Sequence, residues 1–386
     1  MAAIPEAAQL HPATGELEQR TRERSGVQPG ARSRVLHASA RCILIHEFRR
    51  PAAGAWNDYI TTHPDATLFH ELGWKRAVER TFGHRPWYLY ATRRQRIVGV
   101  LPMFQINSMV AGRLLVSLPY ATCGGVVADD PQVAVALLSR GKALAARVGA
   151  NSLELRSVCA ADPELPIDGH HVCFEKTLPA GAAAVSAAMP RKARAAARRA
   201  AERHSLTVEV GPDLLPIVWQ LYARSMRRLG SPNYPYRFFE ELQGSMGRRC
   251  VCHLVRHEAR PVAGLLMFLF RNTLMPYFAG LDERDAIYGL NQYMYLRAMK
   301  WGVARGFRRF DFGRSRSSNR GACDFKRHCG FEPRPLQYQT YVVPGHKAPD
   351  LMPDSPRWTA ARLVWKRLPL PITRPLGSWI ARSIPG

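Results

Sequence analysis

Two apolar runs flank a short polar break in YLYATRRQRIVGVLPMF (88–104), and the same pattern returns in HLVRHEARPVAGLLMF (253–268). Each predicts strand, turn, strand. Laying one on the other puts Gly99 on Gly264, 165 residues apart. Downstream, LLSRGKALAARVGANSLELRS and YLRAMKWGVARGFRRFDFGRS each carry a helical pattern into a glycine, Gly149 or Gly306, and then a further strand. Glycine there supplies the left-handed residue on which helices stop. Helical segments also precede both hairpins: NDYITTHPDATLFHELGWKRAVERTFG in the first half, then LLPIVWQLYARSMRRLG and YRFFEELQGSMG in the second.

The same order occurring twice predicts a duplicated mixed α/β (α+β) fold, two tandem domains that each carry a mixed sheet flanked by helices. The expected boundaries are a disordered extension over 1–40, a first domain over 41–190, a basic junction helix over 191–204, a second domain over 205–343 and a basic Trp/Pro-rich tail over 344–386. In this alignment Asp311 falls on Glu154, 157 residues apart. Beyond these two strands the copies diverge, into SVCAADPELP in the first and a cationic loop in the second. That loop, DFGRSRSSNRGACDFKRHCGF (311–331), sets Arg314, Arg316, Arg320, Lys326 and Arg327 between Phe312 and Phe331.

Charge narrows the partners. The 386-residue chain has 55 Lys+Arg against 30 Asp+Glu, a formal net charge of +25, which suits an anionic partner such as nucleic acid, anionic lipid or a phosphate-bearing substrate. In MPRKARAAARRAAERHSL, a helix beginning near Pro190 would gather Arg191, Lys192, Arg194, Arg198, Arg199 and Arg203 on one side and Ala193, Ala196, Ala197 and Ala200 on the other. Such a helix either faces phosphates or packs its alanines on a domain. The eight cysteines include no C-x-x-C pair, so no metal ligand set is read from them and a reducing, cytoplasmic setting is expected. The apolar run VAGLLMFLF (262–270) is under half of the ~20 residues a membrane-spanning helix needs. The tail RWTAARLVWKRLPLPITRPLGSWIARSIPG mixes Trp358, Trp365 and Trp379 with basic residues. It suits either peripheral association with the inner face of a membrane or docking on the protein's own surface, and Pro369, Pro371 and Pro375 forbid one long helix.

Several chemistries lose support. Asp311-Phe312-Gly313 imitates the magnesium-binding tripeptide of protein kinases, but no glycine-rich loop or H-R-D segment precedes it. No phosphate-loop, dinucleotide-loop, H-E-x-x-H or G-x-S-x-G motif occurs.

The stretches IVGVLPMF, LLVSLPYATCGGVVADD, PRKARAAARRAAERHSL, RRLGSPNYPYRFFEEL and YGLNQYMYLRAMKWGVARGFRRFDFGRSRSSNRGACDFKRHCGFEPRPLQYQ occur in an order that resembles the FemAB-type transferases. They are most similar to the FemAB-related proteins of PEP-CTERM/exosortase exopolysaccharide systems. The resemblance implies two GNAT-like acyltransferase domains and transfer of an acyl or aminoacyl group onto an amine of a glycan, peptidoglycan or exopolysaccharide precursor. It implies no tightly bound cofactor; the donor would be aminoacyl-tRNA or an acyl-CoA, the partners a phosphate-bearing glycan precursor and tRNA. It places a donor-handling lysine on Lys326, and phosphate-binding groups on Arg191, Arg194 and the Arg314 loop. The pyrophosphate-cradling Q/R-x-x-G-x-G/A loop of acetyl-CoA enzymes is missing, which weighs against acetyl-CoA. The alternatives are an N-acyltransferase with an acyl-CoA or acyl-carrier donor, and a non-catalytic RNA- or anion-binding protein.

Acyl transfer to an amine needs donors for a tetrahedral oxyanion and a base for the amine proton. Lys326 would meet developing charge or donor phosphates, and Asp311 is the candidate base, with an ion pair to Arg314 or Arg309 as its competing role. Arg314 and Arg320 can grip phosphate bidentately. Asn291 would touch substrate or cap its helix. Gly124 and Gly125 would let backbone approach a ligand or form a plain turn.

Overall fold

In the computed structural model the described residues are 42–282, 284, 286–349 and 356–384; the extension expected over 1–40 lies outside them. The strands are β1 (Leu44–Glu47), β2 (Arg85–Pro86), β3 (Leu89–Arg93), β4 (Arg96–Leu101), β5 (Phe104–Ser108), β6 (Gly112–Val116), β7 (Val127–Ala128), β8 (Ser152–Leu155), β9 (His171–Thr177), β10 (Leu206–Gly211), β11 (Cys250–His257), β12 (Arg260–Phe270), β13 (Thr273–Leu281), β14 (Arg309–Arg316), β15 (Pro333–Pro335) and β16 (Gln339–Val342). The helices are α1 (Ala53–Thr62), α2 (Leu72–Phe82), α3 (Pro131–Arg147), α4 (Ala182–Ala187), α5 (Arg191–Arg203), α6 (Leu215–Leu229), α7 (Tyr236–Met246), α8 (Leu290–Val303), α9 (Arg320–His328), α10 (Pro356–Arg367) and α11 (Leu370–Ala381).

Both halves run two helices, hairpin, third strand, helix, parallel strand. In the second half this gives one seven-stranded sheet, β10-β11-β12-β13-β14-β9-β15. In the first it gives two smaller sheets, β1-β3-β4-β7 and β16-β8-β6-β5-β2. A single residue accounts for the break. Pro102 ends β4, lacks the N–H a ladder needs, and aligns with Met267 of the unbroken β12. At that same place β12 carries a bulge between Leu266 and Met267, so both copies bend here and only the proline copy separates.

Two strands cross the boundary between the halves. β9, from the first half of the sequence, lies between β14 and β15 of the second sheet; β16, at the end of the second half, pairs with β8 of the first. The alanines of α5 are buried against the second half's core while its arginines point outward. Aromatic packing of Trp74, Phe82, Tyr120, Phe238 and Tyr277 joins the two halves in one core. Burying each such side chain contributes roughly 1.5–3 kcal/mol.

The stretch 311–331 is not a loop. β14 runs through Arg316, and Asn319 caps α9 by accepting from the Ala322 amide at 3.2 Å. Cys323 and Lys326, three apart, form the buried side of α9. An Asn cap followed by that spacing was the local signal for a helix.

Candidate active site between the halves

β13 and β14 start as a parallel pair, Thr273 opposite Arg309 and Leu274 opposite Phe310, and pair no further. Into this gap runs the 117–125 segment of the first half. Six of its carbonyls are each met by a separate side chain. Pro119 O accepts from Trp74 Nε1 (3.2 Å), Tyr120 O from Tyr277 Oη (2.6 Å) and Ala121 O from Arg156 Nη1 (3.4 Å). Thr122 O accepts from Tyr338 Oη, Cys123 O from Thr67 Oγ1 (3.4 Å) and Gly125 O from His70 Nε2 (3.1 Å). Buried carbonyls need such partners, and these fix the segment despite positive φ at Leu118 and Tyr120. His70 also accepts at Nδ1 from the Thr67 amide, and burial pushes its imidazole down to about 4, so it stays neutral as donor and acceptor.

Beside this segment lies a cleft of about 570 Å³, walled by 64–70, 122–127, 156–161 and 270–273, with Cys173, Glu175, Arg309, Asp311 and Arg334 along the second sheet. Of its three acidic groups, Asp65 is exposed and Glu175 is engaged by arginines, while Asp311 is the partly buried one. It accepts from the Gly313 amide at 2.7 Å, and among the described residues no guanidinium lies within ion-pair distance. Arg309 instead pairs with Glu175 at 2.6 Å, joined by Arg334 at 3.2 Å, and Arg314 donates to Tyr338 Oη at 3.3 Å. The expected ion pair of Asp311 is therefore not formed. Burial, helped by Glu175, raises its carboxyl above the ordinary range, against the Gly313 N–H and the charges of Lys326 and Arg309.

A bulge puts Asp311 there. Asp311 sits opposite Glu175 and Arg314 opposite Cys173, so Phe312 and Gly313 together face the single residue Phe174. Gly313 holds φ +68, conformational space that costs another residue roughly 1–2 kcal/mol. The extra residue turns Asp311 and Arg314 to the same face of the strand. Lys326 secures the bulge from the opposite side. Its Nζ donates to the carbonyls of Phe312 (3.0 Å), Gly313 (3.2 Å) and Arg314 (3.3 Å), and lies 5.0 Å from the centre of the Phe174 ring. Burial pushes it down to about 8. All three of its protons are spent on backbone, and it is not part of the cleft wall. The geometry lends no support to the role expected for Lys326 at the donor, because its ammonium is turned into the strand.

The other expected site residues divide. Gly124 and Gly125 line the cleft, but their lack of a side chain serves packing: a Cβ would collide with Leu118 at Gly124 and with Ser157 Oγ at Gly125. Arg314 stands behind the cleft against Tyr338, whose ring centre is 5.8 Å away. Arg320 is exposed at the start of α9. Asn291 lies one residue inside α8, whose N-cap is Gly289, so it caps nothing. Arg191 and Arg194 sit on exposed positions of α5, with Arg194 donating to Ala187 O at 3.1 Å. Neither these two nor Arg314, Arg320 and Asn291 border the cleft. The sequence reading missed His70, Thr67, Glu175, Arg156 and Tyr338; only Arg156 had a usable signal, in the repeat itself.

Residues 187–327 match the family profile described as acetyltransferase (GNAT) domain. The chain carries a GNAT acyltransferase domain. It is an acyltransferase enzyme, and the match spans α5 to α9, the half that holds Asp311, Gly313 and Lys326. No curated protein matches the chain in sequence. Among solved structures it is similar to FemX, at 14% identity and TM-score 0.60, over 78% of this chain and 97% of that one. It is also similar to the C-terminal domain (DUF2156) of an Agrobacterium fabrum protein described as a lysylphosphatidylglycerol synthetase (12%, TM-score 0.51, 76% of this chain and 92% of that one). A conserved protein of unknown function from Bacteroides thetaiotaomicron shares the fold at 10% identity and TM-score 0.50, over 78% of this chain and all of that one.

Proposed function

We propose that the GNAT acyltransferase passes an acyl or aminoacyl group onto an amine of a phosphate-bearing glycan precursor, of peptidoglycan or of a PEP-CTERM-type exopolysaccharide, within the cleft beside Asp311. The observation that carries this reading is an unpaired carboxyl of raised proton affinity on a roomy cleft. In the reaction the amine nitrogen forms a bond to the donor's carbonyl carbon, and the bond from that carbon to the leaving oxygen or sulfur breaks. Asp311 takes the proton that the nitrogen loses. Lys326 holds the bulge that aims Asp311. Arg309 and Arg334 bring positive charge to the cleft wall, which favours anionic substrates. A similarity to a protein named for making lysylphosphatidylglycerol supports aminoacyl-tRNA as a donor worth testing beside acyl-CoA, and Arg191, Arg194 and their neighbours on the outer face of α5 are the proposed contact for tRNA phosphates.

The test is incubation with aminoacyl-tRNA, acyl-CoA and acyl-carrier donors, followed by mass spectrometry of extracted glycan intermediates. The expected result is one amide-linked product from the wild-type chain and none above background from Asp311→Asn. Equal product from both would overturn the assignment. Binding of tRNA, random RNA and duplex DNA across a salt titration separates the donors: tRNA selectivity supports an aminoacyl donor, and equal, salt-erased binding removes it.

A further inference from the structure

The helical hairpin α10–α11 is inside out. On α11 the buried side is small and polar: Thr373, Gly377 and Ala381, then Ser383 just beyond. It is tied down by backbone. Asn233 Nδ2 donates to Arg374 O (3.3 Å), Tyr120 Oη to Ala381 O (3.1 Å), and Arg227 Nε to Leu368 O (2.6 Å) ahead of the helix. A Cβ on Gly377 would press on Asn233. The outward side is apolar. Pro371, Ile372, Pro375 and Trp379 are all exposed, Ile372 by 49% and Trp379 by 58%. Stepping about 100° per residue, Ile372, Pro375, Trp379 and Arg382 fall within about 80° of one another. On α10, Leu363 and Val364 are exposed as well. Ordinary docking of a tail on its own protein buries such residues and exposes the threonine and serine.

Charge specifies what covers this face. Residues 356–386 contain six Arg+Lys and no Asp or Glu. Beside Arg382 a recess of about 200 Å³ is lined by Arg85, Gln105 and Asn107 as well, and guanidiniums and amides are donors of the kind phosphate oxygens accept from. A second copy of the chain would bring the same cations face to face, which is repulsive. Exposed Trp and Ile among cations match the boundary between lipid headgroups and acyl chains, and no helix among the described residues is long and apolar enough to cross a membrane.

We infer that α11, with Arg382 and the adjoining recess, is a docking face for an anionic phospholipid bilayer. Trp379 and Ile372 enter the acyl boundary, and Arg85 and Arg382 hold a headgroup phosphate. This reading is independent of the acyl transfer proposed above.

Flotation of the full chain with phosphatidylcholine vesicles, with and without phosphatidylglycerol, tests it. The expected result is flotation with the mixed vesicles and little with phosphatidylcholine alone. The exposed double variant Ile372→Ser/Trp379→Ser should bind about tenfold or more weakly. Arg85→Glu/Arg382→Glu should lose the preference for phosphatidylglycerol, with both variants keeping the wild-type thermal midpoint. Absence of flotation, or undiminished flotation of the apolar double variant, overturns the proposal. So does a dimer in sedimentation velocity that this variant dissolves while vesicles leave the wild type behind, since the face would then belong to a second copy.

Discussion

Glu154-Leu155-Arg156-Ser157 in the first half and Asp311-Phe312-Gly313-Arg314-Ser315 in the second are the same strand end, differing by one inserted glycine. Both follow a parallel pairing, Leu114 with Ser152 in the first half and Thr273 with Arg309 in the second. Both arginines reach the same ring, Arg156 at 6.0 Å and Arg314 at 5.8 Å from the centre of Tyr338. Without the glycine, carboxylate and guanidinium sit two residues apart and close on each other: Glu154 and Arg156 are paired at 2.7 Å. With it, the two lie three residues apart across the bulge and outside ion-pair distance: Arg314 donates to Tyr338 and Asp311 borders the cleft. One residue with access to positive φ, plus a lysine that holds the bulge's carbonyls, separates a structural ion pair from a carboxyl without a cationic partner.

The strongest way to break this comparison is Asp311→Asn. It keeps an acceptor for the Gly313 amide and should lower the transfer rate by about 10²–10⁴ while the fold persists. The sign of its stability effect comes from the raised carboxyl. Wild type loses stability as pH rises through the folded-state titration of Asp311, so the variant should gain relative to wild type above that point in urea titrations at stepped pH. A variant that instead loses stability above it would mean that the carboxylate is paired after all.

Lys326→Ala comes next. Removing the buried ammonium strands three carbonyls, each unmade bond costing about 1–3 kcal/mol, so the thermal midpoint should drop together with activity. Loss of transfer at an unchanged midpoint would return Lys326 to the reacting atoms. The depressed lysine also makes stability rise with pH from about 8 toward its ordinary value, a rise that the variant should lack.

Breaking the closed pair should act differently. Glu154→Gln removes the carboxylate that pairs with Arg156 and should cost about 1–3 kcal/mol in urea unfolding, with transfer kept within about threefold. A large loss of activity at unchanged stability would make the first copy part of the reaction. Gly313→Ala is the mildest. Its Cβ meets only Thr122 Oγ1, at 3.6 Å, so the cost is the roughly 1–2 kcal/mol of the left-handed backbone, read as a small fall in thermal midpoint with a partial loss of rate.

The repeat made the architecture legible: hairpins, glycine stops and the strands after them fell where periodicity put them, because each is a local signal. The alanine face of α5 was legible for the same reason. The division of the first sheet at Pro102 and the exchange of β9 and β16 were not, since strand partners are chosen over distances no window covers. In the site, Asp311 and its match to Glu154 came from the repeat, yet the shared Arg-Ser was hidden by the one-residue insertion, which made the two continuations look unrelated. Lys326 misled because sequence shows a charge and not its direction. His70, Thr67 and Tyr338 carry no local mark of function; they matter through carbonyls of a segment far away in the chain.

The site depends on Asp311 being an unpaired, desolvated carboxyl. Titration of the 13C-labelled Asp311 side chain by NMR, assigned with Asp311→Asn, measures this without any substrate. The expected midpoint lies above the ordinary aspartate range. A midpoint below it would show the ion pair of the first copy re-formed in the second, and would contradict the assignment of Asp311 as the base.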